Sequence, residues 1–288
     1  MSGVSSVLGR KVPWRDRQGR LSALKAAVFA LLFAPAAVMI GTWLGGGYGL
    51  TPIVPLIYWS GAAAAWLLLA TLFVTPARRI FRQNRLIAVR RMLGVASLAY
   101  TLGHLAIYVV LRGFDAGAIF AEITSRLGIA AALLALAGLL ALGATSLDAT
   151  IARLGPVAWN RLHSMVYIVA ALAILHFVMA PGSGGGLPFL MVGVYAWLMA
   201  WRVLERFRLG TRAPVLFGLA LVAALFTAGF EAVWLALSHG YPALETLRFN
   251  FSLELGPSAA WRVLALGLLV AGAAAALGHG GRPSPARR

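Results

Sequence analysis

Cysteine is absent from this sequence, and acidic residues are scarce: eight Asp and Glu against 25 Lys and Arg. Without Cys there is no thiolate metal site, iron–sulfur cluster, CxxC redox pair, disulfide scaffold or cysteine nucleophile. Charge of either sign is also sparse, at 11% of residues, where a soluble domain carries about 25%. That shortage excludes an ordinary soluble enzyme, and the 61% hydrophobic content excludes a disordered chain. No Walker A loop is present, and no GxGxxG follows a strand. The glycine-rich stretches 45–49 and 182–186 read as turns between apolar runs.

What the chain has instead is long runs free of charge. A membrane-spanning helix needs about 20 mostly apolar residues. Charge-free windows bounded by Lys25 and Arg78, Arg91 and Arg112, Arg126 and Asp148, Arg161 and Arg202, Arg212 and Glu231, and Arg262 and Arg282 supply that length, the first and fourth twice over. The spacing predicts an all-α polytopic membrane protein with eight helices, at about 22–43, 56–75, 92–111, 128–147, 162–180, 188–205, 214–236 and 260–278. The first run exceeds an ordinary signal-peptide core and lacks a clear cleavage site, so it is expected to stay in the protein.

The net charge of +17 resembles a nucleic-acid signal, but the basic residues lie between apolar runs and not on one soluble face. With the N-terminus inside the cell, every Lys and Arg except Arg112, Arg126, Arg248 and Arg262 falls on the cytoplasmic side. This is the inside-positive pattern of a bacterial inner-membrane protein with both termini cytoplasmic, and it requires no nucleic acid, only lipid. Three segments are expected: a basic N-terminal stretch, 1–21; a six-helix transmembrane domain, 22–212; and an extension, 213–288, with two more helices and a basic tail.

Five histidines occur, and two are deep in apolar sequence: His104 in the third predicted helix and His176 in the fifth. Polar groups inside a bilayer are costly and mark function by default. His104 follows Arg90 by 14 residues and His176 follows Arg161 by 15, so at 1.5 Å per residue both lie about 21–22 Å from the cytoplasmic anchors. Two imidazoles at one depth on parallel helices suit the axial positions of a haem b. His163, two residues after Arg161, is a third candidate iron ligand. On an ideal continuous helix it would lie about 140° around from His176. It could ligate a second haem with an unidentified partner, or stand near propionates or a quinone. His239 and His279 read as solvated.

Arg78, Arg79, Arg90 and Arg91 have two readings. They are inside-positive topology signals, or they hold haem propionates, a flavin or a quinol head group through forked hydrogen bonds. Glu231, in the outer part of the seventh helix, is a hydrogen-bonding group near the interface or a proton carrier. Trp159, Tyr100 and Tyr108 read as interface or helix-packing residues.

Taken in order, Thr75-Pro76-Ala77-Arg78-Arg79, Arg90-Arg91-Met92-Leu93-Gly94 with Tyr100 and His104-Leu105-Ala106-Ile107-Tyr108, Thr145-Ser146, Trp159-Asn160-Arg161-Leu162-His163 with Tyr167, and His176 resemble the MsrQ family. These are haem-binding membrane subunits of periplasmic methionine sulfoxide reductase systems, within the wider ferric-reductase-like transmembrane domains. The likeness spans about residues 22–205. It implies electron transfer from a cytoplasmic flavin reductase or the quinol pool to a periplasmic molybdopterin subunit that repairs oxidised proteins. The implied cofactors are haem b, one or two, and FMN, with His104, His163 and His176 as the haem residues. Substrate chemistry would then belong to the partner. The two helices beyond about residue 214 depart from the family pattern. Two other functions fit the composition: a ferric-reductase-like carrier serving another acceptor, and a non-redox transporter, although no repeated halves are visible.

Overall fold

The computed structural model describes residues 12–16, 18–180, 186–254 and 256–278. His279, Arg17, most of the glycine-rich stretch 182–186 and the basic residues at both ends of the chain lie outside them. Among the described residues no β-strand forms, and the expectation of an all-helical polytopic membrane protein holds. The helices are α1 (Ala23–Leu31), α2 (Ala34–Leu44), α3 (Ile53–Ile80), α4 (Arg90–Leu111), α5 (Ala116–Ser125), α6 (Leu127–Ala144), α7 (Asp148–His163), α8 (Val166–Met179), α9 (Leu187–Arg206), α10 (Ala213–His239), α11 (Ala243–Phe251) and α12 (Ala259–Ala276). Seven spans are long and apolar enough to cross a membrane, with α1 and α2 together as one. The pair α7–α8, bent by 41°, makes up to eight.

Local chemistry sets the element ends. Asp115 caps α5 by accepting from the Ala118 N–H at 2.9 Å, and Ser258 caps α12 by accepting from Trp261. Proline in the first turn opens α2, α9 and α10, where its missing N–H costs nothing.

Proline also disrupts two spans, and in both places another helix repairs the damage. At the break between α1 and α2, beside Pro35, the helical bond from the Ala36 N–H to the Leu32 carbonyl is not made. The Tyr100 hydroxyl from α4 stands in its place, donating to Leu32 O at 2.8 Å and accepting from Ala36 N at 3.0 Å. Pro76 lies within α3 and leaves the Leu72 carbonyl without its helical donor. The Arg202 guanidinium from α9 donates to it at 2.8 Å while lying 4.9 Å from the Tyr167 ring centre.

Helix α3 pairs with α4, α6 with α8, and α10 with α12. Helix α9 joins these layers, touching α3 and α8 on one side and α10 and α12 on the other. Among the described residues the two C-terminal spans therefore pack mainly on α9, not on the helices that carry His104 and His176. The contact is close because Gly193 of α9 has no side chain: a Cβ there would meet Val263 Cγ2 at 2.5 Å and the Thr227 side chain. The core at this seam includes Trp201, Leu198, Leu216 and Val263, all fully buried.

Two ion pairs join helix ends at one end of the bundle, Arg79 of α3 with Glu205 of α9 and Arg91 of α4 with Asp148 of α7. The three shorter helices that charge-free windows do not reveal lie at helix ends. One of them, α7, is divided at Gly155, which has φ 73°. Leu147, at its N-cap, and Val157 are exposed, the arrangement of a helix resting on a membrane surface.

Overpacking a well-filled seam costs about 1–3 kcal/mol. Gly193→Val is therefore expected to lower the unfolding temperature in detergent. Gly218→Ala, on an open face of α10 with nothing within 4 Å, is expected to leave it unchanged.

Candidate functional site

The rings of His104 on α4 and His176 on α8 face one another across the bundle. Their centroids are 6.2 Å apart and their planes are inclined by 72°. Each is oriented by a backbone carbonyl from a neighbouring helix. His104 Nδ1 donates to Ile57 O at 2.9 Å, with Ser60 Oγ at 3.2 Å as a further acceptor. Ser60 is itself buried and donates to the same Ile57 carbonyl at 3.0 Å. His176 Nδ1 donates to Gly128 O at 2.9 Å. A carbonyl can only accept, so both rings carry their proton on Nδ1 and keep the Nε2 lone pair free.

Helix α3 is shaped to admit this pair. Gly61 lies against His104, and a Cβ there would sit 2.9 Å from His104 Cε1. One turn away, Ser97 of α4 donates to Ala64 O of α3 at 2.9 Å, which holds the two backbones at close range. On the other flank, Gly128 supplies its carbonyl to His176 and leaves room for Met179. A cavity of about 240 Å³ opens beside His176, lined also by Arg126, Leu127, Ile129 and Met179.

Metal–imidazole nitrogen bonds are about 2.0–2.1 Å, and the ring centre lies ~1 Å further on, so two rings on opposite sides of one metal ion have centres about 6 Å apart. The observed separation matches. No group of three or more His, Asp or Glu that could hold a metal ion exists among the described residues. The pair therefore suits a metal whose remaining ligands come from a macrocycle better than a bare protein-bound ion.

His163 is not brought to this pair. Sequence spacing placed it in the first turn of the helix bearing His176, but the helix breaks at Ser164–Met165 and His163 ends α7. Ser164 Oγ turns back to Arg161 O at 2.6 Å, so the 140° offset of a continuous helix does not apply. The His163 ring stacks on Trp159 at 3.9 Å and lies 3.1 Å from Thr145 Oγ1 through Nε2. Trp159 donates to Thr145 O at 2.8 Å, which anchors the stack.

The four candidate arginines gather at this same end, one helix length from the paired histidines. Arg79 binds Glu205, and Arg91 binds Asp148 at 2.5 Å and Ser146 O at 3.2 Å. Arg78 keeps a buried Nε without a hydrogen-bond partner among the described residues. Arg78, Arg79 and Arg82 line a second cavity, of about 370 Å³, with Asn84, Glu205 and Thr211. Arg90 lies close to Arg78, Arg202 and Tyr167.

Comparison with known proteins accords with this arrangement. A family model for the ferric reductase like transmembrane component matches residues 56–174. Among curated relatives, the protein-methionine-sulfoxide reductase heme-binding subunit MsrQ of Caulobacter vibrioides is 33% identical over 187 residues, covering 65% of this chain and 89% of the relative. The chain belongs to the MsrQ family. The MsrQ proteins of Rhodospirillum rubrum (34% identity, 69% of this chain, 95% of the relative) and Azospira oryzae (37%, 68% and 84%) agree. About a third of the chain lies outside these matches. No solved structure matches.

Other residues singled out in the sequence have structural places. Glu231 of α10 hydrogen-bonds Asn250 of α11, and its Oε2 is buried without a partner among the described residues. His239 is exposed and stacks on Tyr241. Tyr108 donates to Glu122 Oε2 at 2.7 Å, in a cluster with Arg112 and Arg126 that sequence reading did not single out. Its signal was available as an Arg-Glu-Arg spacing around a short amphipathic helix.

The hydrogen bond from the Tyr108 hydroxyl, with the Arg112 and Arg126 charges, holds the Glu122 carboxyl below the usual carboxylate range. A group with a depressed folded-state pKa stabilises fully above its unfolded value and loses that contribution as pH falls through the folded value. Glu122→Gln is therefore expected to unfold at a lower temperature than wild type at neutral pH. The gap should narrow as pH falls below the usual carboxylate range and close once the folded carboxyl is protonated, as checked by thermal scans in detergent.

Proposed function

We propose that this chain is a haem b electron-transfer subunit of the bacterial inner membrane, with both termini cytoplasmic. It passes electrons from a cytoplasmic flavin reductase or quinol to a periplasmic molybdopterin methionine sulfoxide reductase. The observation that carries this reading is the His104–His176 pair, 6.2 Å apart with both Nδ1 protons held by carbonyls. Residues 22–212 form the electron-carrying unit, and residues 213–288 are an extension whose helices α10 and α12 pack on α9.

Haem, when bound, supplies an iron that accepts and releases one electron without changing its ligands. The chain's own residues do the rest. His104 and His176 offer neutral Nε2 lone pairs. The Ile57 and Gly128 carbonyls fix tautomer and ring angle and make the nitrogens more basic, as the outer partners of metal-bound histidines do. Gly61 and Ser97 bring α3 and α4 close enough to exclude water from one flank. At the other end of the bundle, the cavity of Arg78, Arg79 and Arg82 offers guanidinium donors to an anionic or carbonyl-rich donor group, FMN or a quinol. The orphaned Arg78 Nε fits such a ligand. Arg90 stands at this end, and Arg91 ties α4 to α7. His163, on its Trp159 stack, belongs to this donor end. It serves either a second haem or the donor itself.

The relatives' printed name, a heme-binding subunit of protein-methionine-sulfoxide reductase, supports both the cofactor and the destination of the electrons. A dithionite-reduced minus oxidised spectrum of protein purified from haem-sufficient cells is expected to show low-spin b-type haem. His104→Ala, His176→Ala and Gly61→Leu are each expected to lose it, and a colourless wild type would overturn the proposal. Near-perpendicular imidazole planes give a ferric signal with one large, isolated g value, and that form is expected in the electron paramagnetic resonance spectrum. Electron delivery to a purified methionine sulfoxide reductase, compared with delivery to Fe(III) chelates, tests the acceptor.

A further inference from the structure

At the end of the bundle opposite Arg78 and Arg91, two arginines, Arg112 and Arg126, stand on the side of the paired histidines where Arg126 and His176 line one cavity. Glu122 of α5 is the carboxylate between two guanidinium groups, binding Arg112 and, at 3.1 Å, Arg126. Asp115 is occupied as the cap of α5. Two cations thus share one carboxylate. Arg112 retains a buried Nε with no hydrogen-bond partner among the described residues. Such a buried, unpaired donor is costly unless something accepts from it.

Arg126 lines the 240 Å³ cavity whose other walls include His176 and Gly128, the residue that orients His176. The remaining lining, Leu127, Ile129, Met179 and Ala180, is apolar. One cavity therefore combines a metal-binding nitrogen donor, an apolar wall and a guanidinium. That is the complement of a flat apolar macrocycle bearing carboxylates on one edge. The arginines at the other end are poorly placed for it, since Arg90 precedes His104 by 14 residues, about 21 Å along α4. Arg112 follows His104 by eight, about 12 Å, and Arg126 lies two residues from Gly128.

Resting on the haem reading above, we propose that Arg126, with Arg112 behind it, receives the propionate carboxylates of the haem held by His104 and His176. The two guanidinium groups are positioning residues: they fix the macrocycle's rotation about the histidine axis, and their charge favours the reduced iron.

The test uses the full-length haem-loaded protein in an optical redox titration. Arg126→Gln is expected to shift the midpoint potential to more negative values while keeping a low-spin spectrum, with Arg126→Lys closer to wild type. Arg262→Gln, at the same end but in the extension, is expected to leave it unchanged. Wild type and Arg126→Gln are then reconstituted with haem dimethyl ester, whose carboxylates are blocked, and the difference between them is expected to shrink, because a guanidinium no longer held by carboxylates turns to solvent, where its charge is screened. An unchanged midpoint in Arg126→Gln, or a difference undiminished with the ester, overturns the proposal, the latter by showing that Arg126 acts without the propionates. If Arg126→Gln does not fold, Arg112→Gln takes its place in the same comparison. A wild type without haem sinks the underlying reading instead, so the two failures are distinct.

Discussion

In hydrocarbon, a backbone carbonyl or amide that loses its helical partner has no water to replace it. Much of this molecule is organised around that constraint. Proline removes a helical bond in the first span and in α3, and each loss is met by a side chain from another helix, Tyr100 in one case and Arg202 in the other. The same economy of carbonyl lone pairs orients the candidate pair, since His104 and His176 both turn their Nδ1 protons to backbone oxygens of adjacent helices. Helix packing and ligand geometry are thus one set of hydrogen bonds. A helix could not slide without releasing a histidine.

This explains why α3 matters more than its lack of chemistry suggests. It supplies the Ile57 carbonyl and the buried Ser60 hydroxyl to His104, and at Gly61 it supplies the absence of a side chain. The additional spans α10 and α12 take no part in this. They bury their small residues against α9, through Gly193 on one side and Thr227 and Val263 on the other. Among the described residues, the main route from the extension to the histidines runs through α9 and its contacts with α3 and α8.

The eight apolar runs and the matched depth of His104 and His176 were legible in the sequence, because both depend only on hydropathy and on rise per residue. What escaped has common physical causes. Helices α5, α7 and α11 are short and amphipathic, so a search for charge-free windows passes over them. The break at Ser164 is made by a local side-chain hydrogen bond that leaves hydropathy unchanged, and it moves His163 from one helix to another. The cluster of Tyr108, Arg112, Glu122 and Arg126 was hidden for a similar reason. Its members looked like ordinary boundary charges until α5 folded back between α4 and α6. Arg78, Arg79, Arg90 and Arg91 were found, but inside-positive charge and ligand binding call for the same residue type at the same place.

The Tyr100 bridge also has a bearing on biogenesis. Its partners Leu32 and Ala36 precede it by 68 and 64 residues. The first span is synthesised ahead of Tyr100, so the break beside Pro35 waits with two unpaired backbone groups until α4 is made. Only arrival of α4 completes that span, and α4 brings His104 one helical turn beyond Tyr100. The oldest part of the chain in the membrane therefore matures at the moment the first iron-ligand candidate is delivered, which links assembly of the scaffold to readiness for its cofactor.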